Sequence, residues 1–160
     1  MAVSGGPFTR GRNRSILLPG WIRMSLPFHI DGIDHVVIRA NDVRALMRFY
    51  GEVLGCLPVR ADSDIGLYQL RAGRSLIDLV DVLGKLGRAG GGPPRTDARN
   101  MDHLCLRIDP FDEQALRDHL TRHGVAPGEV VRRFGAEGRG PSMYIEDPEH
   151  NVVELKGPPD

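Results

Sequence analysis

The chain is poor in cysteine, with only Cys56 and Cys105 in 160 residues, and it carries no excess of charge, 21 Lys and Arg facing 21 Asp and Glu. Each scarcity excludes a class of protein. Two cysteines set among apolar residues make a poor disulfide framework, so a reducing, cytoplasmic setting is the simpler expectation. A balanced charge gives no basic field to recommend nucleic acid as a partner. No apolar run approaches the roughly 18 residues of a helical membrane span, so no membrane partner is expected. What is present suits one globular domain with a real core.

Residues 1–28 differ from the rest. Gly5-Gly6-Pro7 is followed by Arg10, Arg12 and Arg14, then by a short apolar patch from Ile16 to Trp21 broken at Pro19-Gly20. The patch is too interrupted for a secretory core, and no small-residue cleavage site follows it. The segment is expected to be a disordered or loosely packed extension, and Met24 is an alternative start.

From about residue 30 the chain repeats itself. Asp34-His35-Val36-Val37-Ile38-Arg39 and Asp102-His103-Leu104-Cys105-Leu106-Arg107 open two similar units. In the first, period-2 alternation predicts a strand, Asn41 or Asp42 offers a helix N-cap, and Val43, Leu46, Met47, Tyr50, Val53 and Leu54 fall at helical spacing up to a stop at Gly55. Three short strands follow, at 56–60, 65–71 and 76–82. A glycine-rich connector with Pro93-Pro94 spans 84–100 and is expected to be mobile. In the second unit, strand 101–108 meets Asp109-Pro110 as N-cap and first helical residue, Gly124 ends the helix, and strands at 129–134, 142–146 and 151–156 complete it. The fold class is therefore α+β, two tandem βαβββ modules, with repeat one at 30–83 and repeat two at 101–157 of a single domain, 30–157. Duplication places His35 and His103 in equivalent positions, from which they can converge on one metal.

The two βαβββ units, the Asp-His openings, Phe49-Tyr50 with Leu54-Gly55, and Tyr144-Ile145-Glu146-Asp147-Pro148 closing into Asn151-Val152-Val153-Glu154-Leu155 together resemble the vicinal oxygen chelate superfamily. That superfamily includes glyoxalase I, methylmalonyl-CoA epimerase, fosfomycin-resistance thiol transferases, extradiol dioxygenases and bleomycin-binding proteins. The resemblance implies a half-barrel pair, a homodimer and one divalent metal (Ni, Zn, Fe, Co or Mn) held by His35, Asp78, His103 and Glu154, with Glu154 or Asp78 as the proton-moving base. Asp78 stands where glyoxalase I has glutamate and is one methylene shorter. Tyr144 is implied near the substrate. His150 occupies the usual glycine place of the Asp-Pro-x-Gly-Asn turn, where backbone strain or an altered turn is expected.

Strand geometry agrees with these choices. Asp78 shares a face with Leu76 and Val80, so Asp78 and Asp81 cannot both enter one site. Glu154 lies in an apolar strand, where an unpaired carboxylate is costly to desolvate. A lone histidine at a strand start is more often a hydrogen-bonded core residue than a ligand, and the duplicate at His103 is what favours the ligand reading. Arg132, Arg133 and Arg139 flank the 135–140 loop and offer contacts to an anionic substrate tail such as that of a thiol conjugate, although solvated loop charge is the plainer reading. His29, His119, His123 and His150 read as surface or turn residues.

The function these features support is a glyoxalase-like, metal-dependent isomerase or lyase acting on a small molecule. Three alternatives stay open. A two-histidine, one-carboxylate set suits an Fe(II) extradiol-type dioxygenase. The same ligands serve a thiol transferase of the fosfomycin-resistance type. A metal-free protein that sequesters a small molecule, as in bleomycin resistance, needs none of them.

Overall fold

The computed structural model describes residues 27–160, so the extension expected at 1–28 lies almost wholly outside the described residues, as does Met24. Residues Ile33–Asp160 form one compact unit.

The first module opens with β1, His35–Ala40, whose alternation buries Ile38 and Ala40 and leaves His35, Val37 and Arg39 on the other face. Helix α1, Val43–Arg48, is capped by Asp42 rather than Asn41, with the Asp42 carboxylate accepting from the backbone N–H groups of Arg44 at 3.1 Å and Ala45 at 3.0 Å. The helix then widens into a π-helical turn, Phe49–Val53, which buries Phe49 and Tyr50. Gly55 ends it with φ of 72°, a left-handed conformation open to a residue without Cβ. Strands β2 (Leu57–Asp62), β3 (Leu67–Ala72) and β4 (Ser75–Asp81) follow.

The second module repeats this with β5 (Leu104–Arg107), α3 (Glu113–Arg122), β6 (Val130–Gly135), β7 (Gly138–Glu146) and β8 (Val152–Lys156). Gly124, φ 72°, ends α3 as expected. Each module makes a four-stranded mixed sheet, in the orders β1-β4-β3-β2 and β5-β8-β7-β6. The first and last strands of each module therefore lie side by side and parallel, with Val37 opposite Asp78 and Cys105 opposite Glu154. This is the paired βαβββ architecture that the repeat predicts.

Two local expectations are corrected. Asp112, not Asp109, caps α3, accepting from the backbone N–H of Ala115 at 3.0 Å. The connector is also better fastened than its composition suggests. It contains a short helix α2, Lys85–Ala89. The Arg39 guanidinium donates to the carbonyls of Gly92, Gly87 and Gly91 at 2.5, 3.0 and 2.9 Å.

Ile38, Leu46, Tyr50, Leu70, Ile77 and Leu79 of the first module join Leu120, Met143, Ile145, Val153 and Leu155 of the second in a single core. Burying each large side chain of this kind contributes about 1.5–3 kcal/mol. Polar links cross the same junction. The Tyr50 hydroxyl donates to Asp147 at 3.1 Å, and the Asn100 amide donates to the Arg39 carbonyl at 2.9 Å and to Asn151 Oδ1 at 3.0 Å. Because both modules spend their helix-side faces on this core, the opposite faces of the two sheets stay open, and His35, Asp78 and Glu154 lie on those faces.

Candidate metal and substrate site

The second module holds the better-formed half of the site. His103 sits immediately before β5, and its Nδ1 donates to Asp102 at 2.6 Å. An ionised carboxylate can only accept, so this bond puts a proton on Nδ1 and turns Nε2 toward Glu154. Nε2 lies 3.2 Å from Glu154 Oε2. A lone pair facing a carboxylate at that distance is repulsive unless a proton or a cation lies between them.

Glu154 is buried, and among the described residues its second oxygen, Oε1, makes no hydrogen bond; neither does the hydroxyl of the buried Ser142, which lies near it on the same face. Burial alone pushes the Glu154 carboxyl up. The polar groups of Ser142, Cys105 and Tyr144 and the charge at His103 outweigh burial and hold the carboxyl below its ordinary range, so it stays ionised. Tyr144 stands opposite Glu154 on β7 and packs edge-on against the His103 ring, with centroids 5.8 Å apart. Burial and the Glu154 charge push its hydroxyl up despite Arg133 nearby, so it remains a donor. Cys105, opposite Glu154 on the other side, has its thiol pushed up to about 11, by burial first and then by Glu154.

The first module mirrors this with different chemistry. His35 Nδ1 bonds Asp34 at 2.8 Å. The hydrogen bond to Asp34, and then the charge of Asp78, raise the His35 pKa. Asp78 is buried, and both of its oxygens accept from the Gln69 amide nitrogen at 3.0 Å. Gln69 faces Asp78 across β3 and β4 as Tyr144 faces Glu154 across β7 and β8.

The structure thus brings His103 into contact with Glu154 and sets His35 within electrostatic reach of Asp78, but it does not gather all four residues. Among the described residues no group of three or more His, Cys, Asp or Glu side chains is placed to hold a metal ion. The expected substrate arginines separate as well. Arg132 and Arg133 are adjacent on β6 and point to opposite faces. Arg132 pairs with Asp160, while Arg133 shares the open face, opposite Gly140.

Sequence reasoning passed over Asp34, Asp102, Gln69 and Lys156. The first two were visible as the duplicated Asp-His pair, and Gln69 as the counterpart of Tyr144 in the other repeat. His150 has φ of 63°, the strain expected where a glycine is usual, and its ring bonds Glu146 at 2.8 Å.

A model of the family described as the Glyoxalase/Bleomycin resistance protein/Dioxygenase superfamily matches residues 32–155. The virulence protein STM3117 of Salmonella typhimurium is 29% identical over 132 residues, covering 82% of this chain and 87% of that protein. Its crystal structure superimposes with a TM-score of 0.68, covering 82% of this chain and 99% of that one. The glyoxalase domain-containing protein RDO1 of Mycosarcoma maydis is 30% identical over 134 residues, covering 83% of this chain and 72% of its own length. Lactoylglutathione lyase from Agrobacterium tumefaciens shares the fold at 21% identity, with a TM-score of 0.57 over 80% of this chain and 94% of that one.

Proposed function

Because the chain belongs to the glyoxalase/bleomycin resistance protein/dioxygenase superfamily, we propose that it is a glyoxalase-like, divalent-metal-dependent enzyme of the isomerase or lyase type, acting on a small molecule with two neighbouring oxygens. The observation that carries this reading is Glu154 Oε1, buried without a partner among the described residues, beside a histidine whose Nδ1 is already tied down. An ionised oxygen left bare in the interior is costly unless a cation meets it. The donor set fits such an ion: imidazole and carboxylate ligands suit Zn, Ni, Fe, Co or Mn. When bound, the ion would polarise two substrate oxygens and stabilise the negative charge that develops on them.

His103 and Glu154 would hold the metal from one module, and His35 with Asp78 from the other. Asp102 and Asp34 orient the two rings by accepting from Nδ1, the outer support that ligating histidines usually have. Glu154 would accept and return the substrate proton, and Tyr144 would donate a hydrogen bond to a substrate oxygen. Neither sheet supplies enough donors alone, so the site is completed when the open face of one module meets that of the other module in a second copy, giving a homodimer. The two unpaired cysteines suit a reducing, cytoplasmic location.

One observation favours a second reading. Gln69 occupies both oxygens of Asp78, and without Asp78 the set is His35, His103 and Glu154, the pattern of non-haem Fe(II) oxygen chemistry. Oxygen uptake with a catechol on the iron-loaded protein separates the two. The first test is elemental mass spectrometry of the untagged protein and of His35→Ala and Glu154→Ala. About one metal per chain, lost in both variants, supports the enzyme reading. No metal in the unaltered protein after reconstitution with each ion overturns it in favour of a metal-free binding protein.

A further inference from the structure

Beyond Glu154 the open face of the second module continues into a cavity of about 370 Å³ lined by His103, Cys105, Arg107, Phe134, Glu154 and Lys156, among others. Lys156 is the unusual member. It is only 6% exposed, yet it makes no ion pair among the described residues. Its ammonium is held by two neutral acceptors, the carbonyls of Arg133 at 2.7 Å and Gly140 at 3.4 Å. A buried cation is costly without a counter-charge, and carbonyl dipoles offset only part of that cost. Arg107, opposite Lys156 on β5, is already neutralised by Glu137. Glu154 lies two residues back along β8, about 6.5 Å away by strand geometry, and its carboxylate is turned to His103.

The position is also built for the amine. A Cβ at Gly135 would come within 2.4 Å of Lys156 Cε and 2.9 Å of Cδ, so the lysine stem runs through space that the absence of a side chain provides.

We propose that Lys156 is a substrate-binding residue: its ammonium receives an anionic group of the substrate, a carboxylate or a phosphate, roughly two strand residues from the atoms held at His103 and Glu154. The substrate class is therefore a small acid whose charged end lies a few bonds from its two reacting oxygens. The placement of those oxygens rests on the metal-enzyme reading above; the anion pocket does not. It takes the place of Arg132, which is committed to Asp160, while Arg133 still shares the open face.

The test is a titration of the full-length protein with acetate, inorganic phosphate and neutral acetamide, followed through the amide NMR signals of Gly135, Gly140 and Lys156. Lys156→Met removes the charge while keeping an apolar stem, and Gly135→Ala keeps the charge but displaces it. Saturable shifts with at least one anion and none with acetamide, weakened tenfold or more in both variants, are expected; which anion binds identifies the head group. Should Lys156→Met fail to fold, Gly135→Ala carries the comparison. No saturable shift with either anion, equal binding by acetamide, or anion binding unchanged in the variants overturns the proposal. Metal content measured on the same samples separates the failures: metal without anion binding refutes the anion pocket alone, and anion binding without metal refutes the enzyme reading alone.

Discussion

Replacing Tyr50 by Phe deletes one oxygen from the junction between the modules and nothing else. The ring is fully buried, and its hydroxyl donates to Asp147 Oδ2 at 3.1 Å. Asp147 also accepts from the backbone of Glu149 and Asn151, each at 2.9 Å, and from the Asn151 side chain at 2.8 Å, so the carboxylate keeps partners in the variant. A hydrogen bond to an ionised acceptor contributes about 1.5–3 kcal/mol, and the surviving bonds place the expected loss near the low end, about 1.5–2 kcal/mol at neutral pH. Burial, opposed by these bonds, raises the Asp147 pKa. Burial and the Asp147 charge push the Tyr50 hydroxyl well above its own ordinary value, so it stays the donor throughout. Because Asp147 binds its proton more tightly in the folded state, stability falls as pH rises from the ordinary carboxylate pKa to the raised one. Losing Tyr50 raises that pKa further, so the variant suffers more at neutral pH than in acid, where a neutral acceptor makes the bond worth about 1 kcal/mol or less. Urea unfolding of both proteins at about pH 7 and about pH 4 reads the difference directly. A cost under about 0.5 kcal/mol at neutral pH, or one that grows toward acid, would refute the reasoning.

His150→Gly should stabilise the protein by up to about 1 kcal/mol, because it relieves a left-handed backbone at the loss of an exposed contact to Glu146; a fall in the urea midpoint contradicts this. Gly87→Ala should cost about 3 kcal/mol or more, since its Cβ would meet the Asp81 carbonyl at 2.1 Å and Val82 Cα at 2.5 Å, neither of which can swing away; thermal melting checks it. In metal-free protein the His35 pKa, read from its ring-proton NMR shift, should lie above 6.5 and fall in Asp34→Asn. The sign follows from the raised folded value: the stabilisation is full below the ordinary histidine pKa and is lost as pH rises through the raised one.

How much of this was legible in sequence depends on whether the controlling contact is local. The Asp-His openings, the alternation in β1 and the stops at Gly55 and Gly124 are set by neighbours a few positions apart, and they appear in the structure where the pattern puts them. The π-helical turn at Phe49–Val53 is not legible, because its apolar residues also satisfy ordinary helical spacing. The same limit applies to the connector, whose glycines read as freedom until Arg39, far away in sequence, ties their carbonyls.

The candidate site divides along that line too. Asp78 and Glu154 come from the family resemblance and agree with period two within a strand, whereas Arg132 and Arg133 read together in the sequence although strand alternation sends them to opposite faces. Where the two histidine–carboxylate pairs lie relative to each other is a property of packing between sheets. Both modules direct their apolar faces into one core, and among the described residues no three His, Cys, Asp or Glu side chains come together to hold a metal ion. The same packing explains Lys156. Its position reads as a terminal strand residue beside Glu154, and only the passage of its stem against Gly135 of β6 makes it a buried cation with no ion pair among the described residues.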